Sequence, residues 1–287
     1  MTALKEIKNR IISVRSTLKI TSAMKMVASA KLHRVQAVAT SLGEYERRLS
    51  EIAAVLSSDS DIETASPLFC RHEKEEKATI VAFSSNSSLC GGFNTNAYRA
   101  LTKEIEQLHD EGFKQIQVIP IGAKIAQSAI KGGYDVDNSF NTLTEKSTYN
   151  EIAKLANYLI EEYIAGHTDK IILVYNHFYS IGHQAPVNEV YLPMTTVKSD
   201  GDNGILPDYI FEPDAKTLIA ELIPYKLRTQ LYSVWLDSTT AEHAARTVAM
   251  QTATDNAKKL LDELSLTYNK RRQQAITDEL ADINSND

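Results

Sequence analysis

The chain has 287 residues, 43% of them hydrophobic and 24% charged, with a formal net charge of −6. It contains no apolar run of the roughly 18 residues a membrane-spanning helix needs. Lys5, Glu6 and Lys8 break up the N-terminus where a signal peptide would be apolar, so a cytoplasmic chain is expected. Charge is unevenly placed. Residues 1–36 hold eight Lys/Arg and one acid, Glu6, so this segment is +7 and the remainder sums to −13. Such a segment is either a solvated basic helix face or an arm that meets an acidic partner. It has no aromatic residue, which disfavours a platform for stacking single-stranded nucleic acid.

The first 66 residues contain no proline and one glycine, Gly43. Proline and glycine punctuate local structure, so this stretch predicts one long helix over Leu4–Leu56. Leu4, Ile7, Ile11, Val14 and Leu18 step by three and four, the seam of a supercoiled helix pair. Ala23, Ala30 and Ala37 recur every seven and suggest a close-packing stripe. Residues 57–77 are polar and charged and read as a linker. Short β-forming runs follow at Ala78–Ser84, Gln115–Ile121 and Lys170–Tyr175, with helical stretches at Thr95–Glu111, Ala123–Lys131 and Tyr149–Ala165. Alternation of strand and helix predicts a Rossmann-like α/β domain over 78–215 with a largely parallel sheet. Val187–Thr196 and Tyr209–Phe211 are further strand-like runs for an edge hairpin, and Gly201–Gly204 is a turn or loop. The last region, 216–287, is a second long helix, expected over Tyr225–Ile283 because neither Pro nor Gly follows Pro224. Ala241, Ala245, Ala249, Ala253 and Ala257 recur every four along it.

Each terminal helix alone would expose its stripe, so the two are expected to pair as an antiparallel coiled coil. Matching the alanine stripes makes facing residue numbers sum to about 280, whereas setting Met24 beside Arg246 gives about 270. Either way the C-terminal helix overhangs by roughly 10 to 20 residues.

The best candidate ligand loop is Ser84–Asn94, between a strand and a helix, where α/β folds bind phosphate. It has no GxGxxG and no Gly-Lys-Ser/Thr. Its structural alternative is a tight turn with Asn94 as helix N-cap. Cys90 is a candidate nucleophile with His177 or His183 as base, or a buried packing thiol. Cys70 and Cys90 make no CxxC pair and are expected as reduced thiols. The seven histidines show no HExxH and no Cys/His ligand spacing, so neither metal nor cofactor is expected.

Three segments resemble one family, the gamma subunits of bacterial F-type ATP synthases. Ile7–Ala37 is similar to the family's N-terminal signature, Ser88-LCGGF-Asn94 to its short strand–turn–helix motif, and Ala244–Leu280 to its C-terminal signature. Asp208–Asp214 is also similar. Family members usually carry an Asp, a basic residue and a Gly where this chain has Asn86, Ser87 and Ser88, which leaves any special role of that motif in doubt. The resemblance implies a non-catalytic rotor shaft on the cytoplasmic face of the bacterial inner membrane. It would couple ion flow to ATP synthesis or hydrolysis at the beta subunits. The implied partners are a ring of alpha and beta subunits, the epsilon subunit and the membrane c-ring. The family's beta subunits present acidic loops to the shaft, which the +7 segment would complement. By motif position, Met24, Lys25 and Arg246 would face those loops. Arg272, Gln273, Thr277 and Glu279 would form an upper contact, and Tyr209 and Glu212 would belong to the foot. The rival readings are a coiled-coil adaptor and an α/β enzyme using Cys90.

Overall fold

The computed structural model describes residues 2–58, 66–194, 212 and 215–284. The expected strand at Tyr209–Phe211 and the turn at Gly201–Gly204 lie outside the described residues. Helix α1 runs over Thr2–Ser58 and helix α5 over Ala215–Asn284. Between them come β1 (Lys77–Phe83), α2 (Phe93–Glu111), β2 (Gln115–Ile121), α3 (Ala123–Lys131), β3 (Asp135–Val136), α4 (Tyr149–Ile164), β4 (Lys170–Ser180) and β5 (His183–Leu192).

The seam of α1 continues far beyond Leu18. Leu4, Ile7, Ile11, Val14, Leu18, Thr21, Lys25, Ala28, Leu32, Val35, Ala39, Leu42, Glu46 and Leu49 keep the three–four step, and every one is buried or half-buried. On α5, Met250, Thr254, Ala257, Leu261, Leu264 and Tyr268 do the same. The Thr254 hydroxyl donates to Thr21 Oγ1 at 3.0 Å, and Tyr45 and Tyr225 meet through their hydroxyls at 2.9 Å. Rising numbers on α1 face falling numbers on α5, so the pair is antiparallel. At the Thr21–Thr254 contact the facing numbers sum to 275, midway between the two registers expected from sequence.

The alanine stripes do not face each other, which corrects the close-packing reading. Ala23, Ala30 and Ala37 are exposed on α1. Ala241 and Ala245 instead pack with Cys90 and Phe93 of the α/β domain, and Ala249 stands 3.8 Å from where a Cβ on Gly91 would lie. Small side chains at 241, 245 and 249 of α5 thus admit the turn before α2, and of the stripe Ala257 lies on the seam with α1.

Helix α5 also starts ten residues earlier than expected and carries Pro224 inside it. An interior proline costs a helix about 3 kcal/mol. Ile219 and Ile223, 1% and 2% exposed, lie on the upstream turns against the sheet, and burying each is worth about 1.5–3 kcal/mol, enough to offset it.

The five-stranded sheet has the order β3-β2-β1-β4-β5. Strands β1 to β4 pair in parallel, and β5 returns antiparallel to β4. One face (Val81, Phe83, Ile119, Leu173) packs on α4 and on Ile223, Leu227 and Trp235 of α5. The other (Ile80, Ala82, Val118, Val174) packs on α2 and α3 through Leu101, Ile105 and Ile125. Helix α5 therefore serves as a shaft helix and as one cover of the sheet. The polar stretch before β1 is also partly packed: Pro67–Phe69 forms a 3-10 turn, Leu68 is buried, and the Tyr163 hydroxyl donates to the Cys70 carbonyl at 2.7 Å.

Candidate partner-contact surfaces

Strands β1 and β2 end side by side at Ser84 and Gly122, where α/β folds place their ligands. Here the chain closes that crevice itself. Gly122 has φ +116°, and a Cβ on it would sit 2.3 Å from the Ser84 carbonyl oxygen, so only glycine fits. The first amides of α3 are already satisfied. Ala123 N–H donates to Asn86 Oδ1 (2.9 Å), Lys124 N–H to the Ser85 carbonyl (3.2 Å) and Ile125 N–H to Ser84 Oγ (2.9 Å). Trp235, Ser238, Thr239 and Glu242 of α5 fill the space above, leaving a cavity of about 20 Å³.

Asn94 is not the N-cap of α2, a position taken by Gly92. Its carboxamide works inside the turn instead: Oδ1 accepts from Ser85 N–H at 3.1 Å, and Nδ2 donates to Cys90 Sγ at 3.2 Å. Cys90 is 1% exposed. His177 Nδ1 pairs with Asp237 Oδ2 at 2.5 Å, on α5. The thiol is thus a packing group held by an asparagine.

Where both shaft helices meet the α/β domain lies a cleft of about 610 Å³. Met24, Val27 and Lys31 of α1, Ser87, Glu145 and Arg246 are among its lining residues. Met24 and Arg246 therefore do share one surface. Lys25, half-buried, occupies a seam position, while Met26 and Val27 are 63% and 57% exposed. Arg246 itself is only 8% exposed. Its NH1 donates to Glu242 Oε1 at 2.6 Å and its NH2 to Ser87 Oγ at 3.0 Å. Lys31 Nζ donates to Glu145 Oε1 at 2.5 Å, and His243 Nε2 lies 3.5 Å from Glu145 Oε2.

The electrostatics follow from burial. Desolvation pushes the Glu242 carboxyl up, although the Arg246 charge opposes it. Burial also drives His243 down to about 4, so its ring is neutral at pH 7. Glu145 is desolvated too, but the Lys31 hydrogen bond and charge outweigh that and hold it low. Glu145, Glu242 and His243 bring ligand atoms within 4.8 Å of one another, close enough for a metal ion. Lys31 and Arg246 already occupy an oxygen of each carboxylate, so the chain's own cations take that place.

The upper positions are unlike the cleft. Residues 271–278 and Leu280 are all exposed, and Leu266 and Ile276 are 73% and 50% exposed. Arg272, Gln273 and Thr277 lie here, the last donating to the Gln273 carbonyl one turn back. With facing numbers summing to 275, Leu4 lies opposite position 271, and α5 runs on to Asn284 without a partner helix. That overhang is about 20 Å at helical rise. Arg272 lies roughly 40 Å up the helix from Arg246, so the two groups are separate surfaces. Glu279 lies in α5, with its side chain outside the described residues. Glu212 is exposed, and Tyr209 lies outside the described residues.

Sequence reasoning passed over Lys31, Glu145, Glu242 and His243. Only the Glu242–Arg246 spacing of four carried a signal. Ser87, whose departure from the family pattern left its role in doubt, is the group that receives Arg246.

Two long paired helices with an α/β side domain, whose crevice at the ends of β1 and β2 is closed by the second of those helices, define the architecture. The family model for ATP synthase matches residues 3–286. The ATP synthase gamma chain of Phocaeicola vulgatus is 47% identical over 286 residues, covering 99% of this chain and 98% of that one. That of Flavobacterium johnsoniae is 40% identical, covering 99% and 97%. The fold is shared with a chain of the Euglena gracilis mitochondrial ATP synthase rotor at TM-score 0.58 and 19% identity, covering 96% of this chain and 99% of that one. It is also shared with a chain of the Tetrahymena thermophila mitochondrial central stalk and c-ring at TM-score 0.56 and 18% identity, covering 82% and 99%. This chain belongs to the ATP synthase family, among its gamma chains. No helix among the described residues is long and apolar enough to cross a membrane.

Proposed function

We propose that this subunit is a non-catalytic shaft that turns inside a ring of alpha and beta subunits and couples ion flow to nucleotide chemistry on the beta subunits. The observation that carries the reading is the eccentric helix pair. One helix outruns the other into a bare tip, while the opposite end is welded into the sheet. A shaft without axial symmetry presents a different face to each surrounding subunit as it turns, so each feels a different contact free energy. The closed crevice supports a subunit that does no chemistry itself. Met24 and Lys25 meet acidic loops of the ring, with Arg246 supporting them from its buried position. Arg272, Gln273, Thr277 and Glu279 bear on the upper ring, and Tyr209 and Glu212 belong to the foot, beside the epsilon subunit and the c-ring. The subunit is peripheral, on the cytoplasmic face of the bacterial inner membrane. Affinity purification of the tagged chain from its own cells tests this: alpha, beta and epsilon subunits should co-elute, and their absence would refute it.

A further inference from the structure

The α1 seam is apolar at its base except at Glu46, which lies between Leu42 and Leu49. Glu46 is half-buried, with Ser233 of α5 near enough to favour its charged form. Beside it on α5 is Lys226, only 9% exposed, whose ammonium enters no hydrogen bond or ion pair found among the described residues. Glu189 of β5 closes the group. Its Oε2 accepts from the Tyr175 hydroxyl of β4 at 3.0 Å and its Oε1 from Gln230 Nε2 of α5 at 2.7 Å. The Tyr45–Tyr225 pair flanks the cluster at the surface. Four elements thus converge on two carboxylates and one ammonium, in the stretch where the shaft joins the sheet.

We propose that Glu46, Lys226 and Glu189 form an acid-tightened joint at the base of the helix pair. With all three ionised the joint carries one excess negative charge and is loose; uptake of one proton neutralises it and tightens it. The physical reason is the low local dielectric, which makes the Glu46–Glu189 repulsion and each ion's desolvation expensive. Burial, with the Glu189 charge adding to it against the nearby Ser233 hydroxyl and Lys226, already holds the Glu46 carboxyl above its ordinary value. Burial likewise lowers Lys226. For a carboxyl raised in the folded state, the folded chain holds the proton longer than the unfolded one. Stability therefore falls as pH rises from the unfolded value of about 4.5 through the folded one. Gln at position 46 keeps the shape and the Ser233 contact but mimics the protonated form.

The test compares the full chain with Glu46→Gln and Lys226→Met by denaturant unfolding and amide exchange between about pH 5 and pH 8. At each pH the difference from the unsubstituted chain is read, so that His243 and other titrating groups cancel. E46Q should be the more stable near pH 8, and the gap should close toward pH 5, by at most about tenfold in the unfolding constant per pH unit. Exchange at residues 42–49 should slow in E46Q at pH 8. K226M should speed it there and be partly rescued by acid. An E46Q chain less stable than the unsubstituted one at pH 8, or a difference that does not change with pH, would overturn the proposal.

Discussion

Replacing Arg246 with Met removes a buried guanidinium while keeping much of its apolar stem. Glu242, only 8% exposed, would then keep its charge with no partner on its own helix, and Ser87 would lose its donor. Breaking a buried ion pair by removing one partner costs about 3–5 kcal/mol, because the remaining charge stays desolvated. That is about a fifth or more of the whole stability of an ordinary domain. Neutralising both partners, as in Glu242→Gln with Arg246→Met, removes the uncompensated charge and should return most of the loss. The pH dependence separates this account from simple loss of packing. The Glu242 carboxyl already lies above its ordinary value, chiefly through burial, and without Arg246 it rises further. The folded chain then holds a proton that the unfolded chain releases near 4.5, so the variant's deficit grows as pH rises above that value, by at most about 1.4 kcal/mol per pH unit. Urea unfolding of the full chain, followed by tryptophan fluorescence from Trp235 in the sheet-side core, reads the change. A loss below about 1 kcal/mol, or a double variant no more stable than the single one, would refute the reasoning.

Arg272→Ala with Gln273→Ala should leave unfolding within about 0.5 kcal/mol of the unsubstituted chain, since both sit on an exposed helix that alanine suits. In the assembled enzyme the ratio of ion pumping to ATP hydrolysis should fall, and an unchanged ratio would deny them a contact role. Amides from Ala275 onward should exchange rapidly in the free subunit and slowly in the complex, because a lone helical end of that length is marginal in water; strong protection in the free chain would contradict this. Asp169→Asn should destabilise by about 1–3 kcal/mol, as Asp169 accepts from Glu76 N–H, Lys77 N–H and the His72 ring. Despite its burial those bonds hold Asp169 low, so its contribution is complete above the unfolded value near 3.8 and is lost as pH falls below it; an N variant that matches the parent at pH 7 would sink this. Calorimetry with ATP and the chain alone should show no submicromolar binding.

The elements were legible where a single period ran unbroken. The spans Gln115–Ile121 and Ala123–Lys131 were readable to the residue, because a β-forming run ends at Gly122 and a helical one begins there. The α1 seam was legible only to Leu18, since Thr21, Lys25 and Glu46 interrupt the apolar pattern though all lie on the same face. The start of α5 was hidden by Pro224, whose penalty is outweighed by contacts with strands far away in sequence. Alanine spacing showed that α5 had a close-packing face but could not show what packs there, because Gly91 and Cys90 lie some 150 residues away. For the same reason the cleft was half legible. Glu242 and Arg246 are one helical turn apart, whereas Lys31 with Glu145 and Arg246 with Ser87 are separations of 114 and 159 residues.

These long-range contacts also decide how a twist would pass through the molecule. Pure apolar contact between α5 and the sheet resists separation but is non-directional, so it resists rotation about the helix axis less well. Directional bonds supply what it lacks. At the base, the Tyr191 hydroxyl donates to the Leu227 carbonyl at 2.9 Å and Gln230 to Glu189 at 2.7 Å. Ten to twenty residues further along α5, Asp237 takes Phe178 N–H at 3.0 Å, and Arg246 donates to Ser87. The α5 residues 227, 230, 237 and 246 point these bonds to β4, β5 and the turn after β1, so they grip the helix at successive heights. Beyond Ala249 the α/β domain's grip ends and, among the described residues, α1 alone lies beside α5, through a mostly apolar seam with a hydroxyl pair at Thr21–Thr254. Stiffness against twist should therefore be highest from Leu227 to Arg246 and fall toward the tip, where the helix is alone.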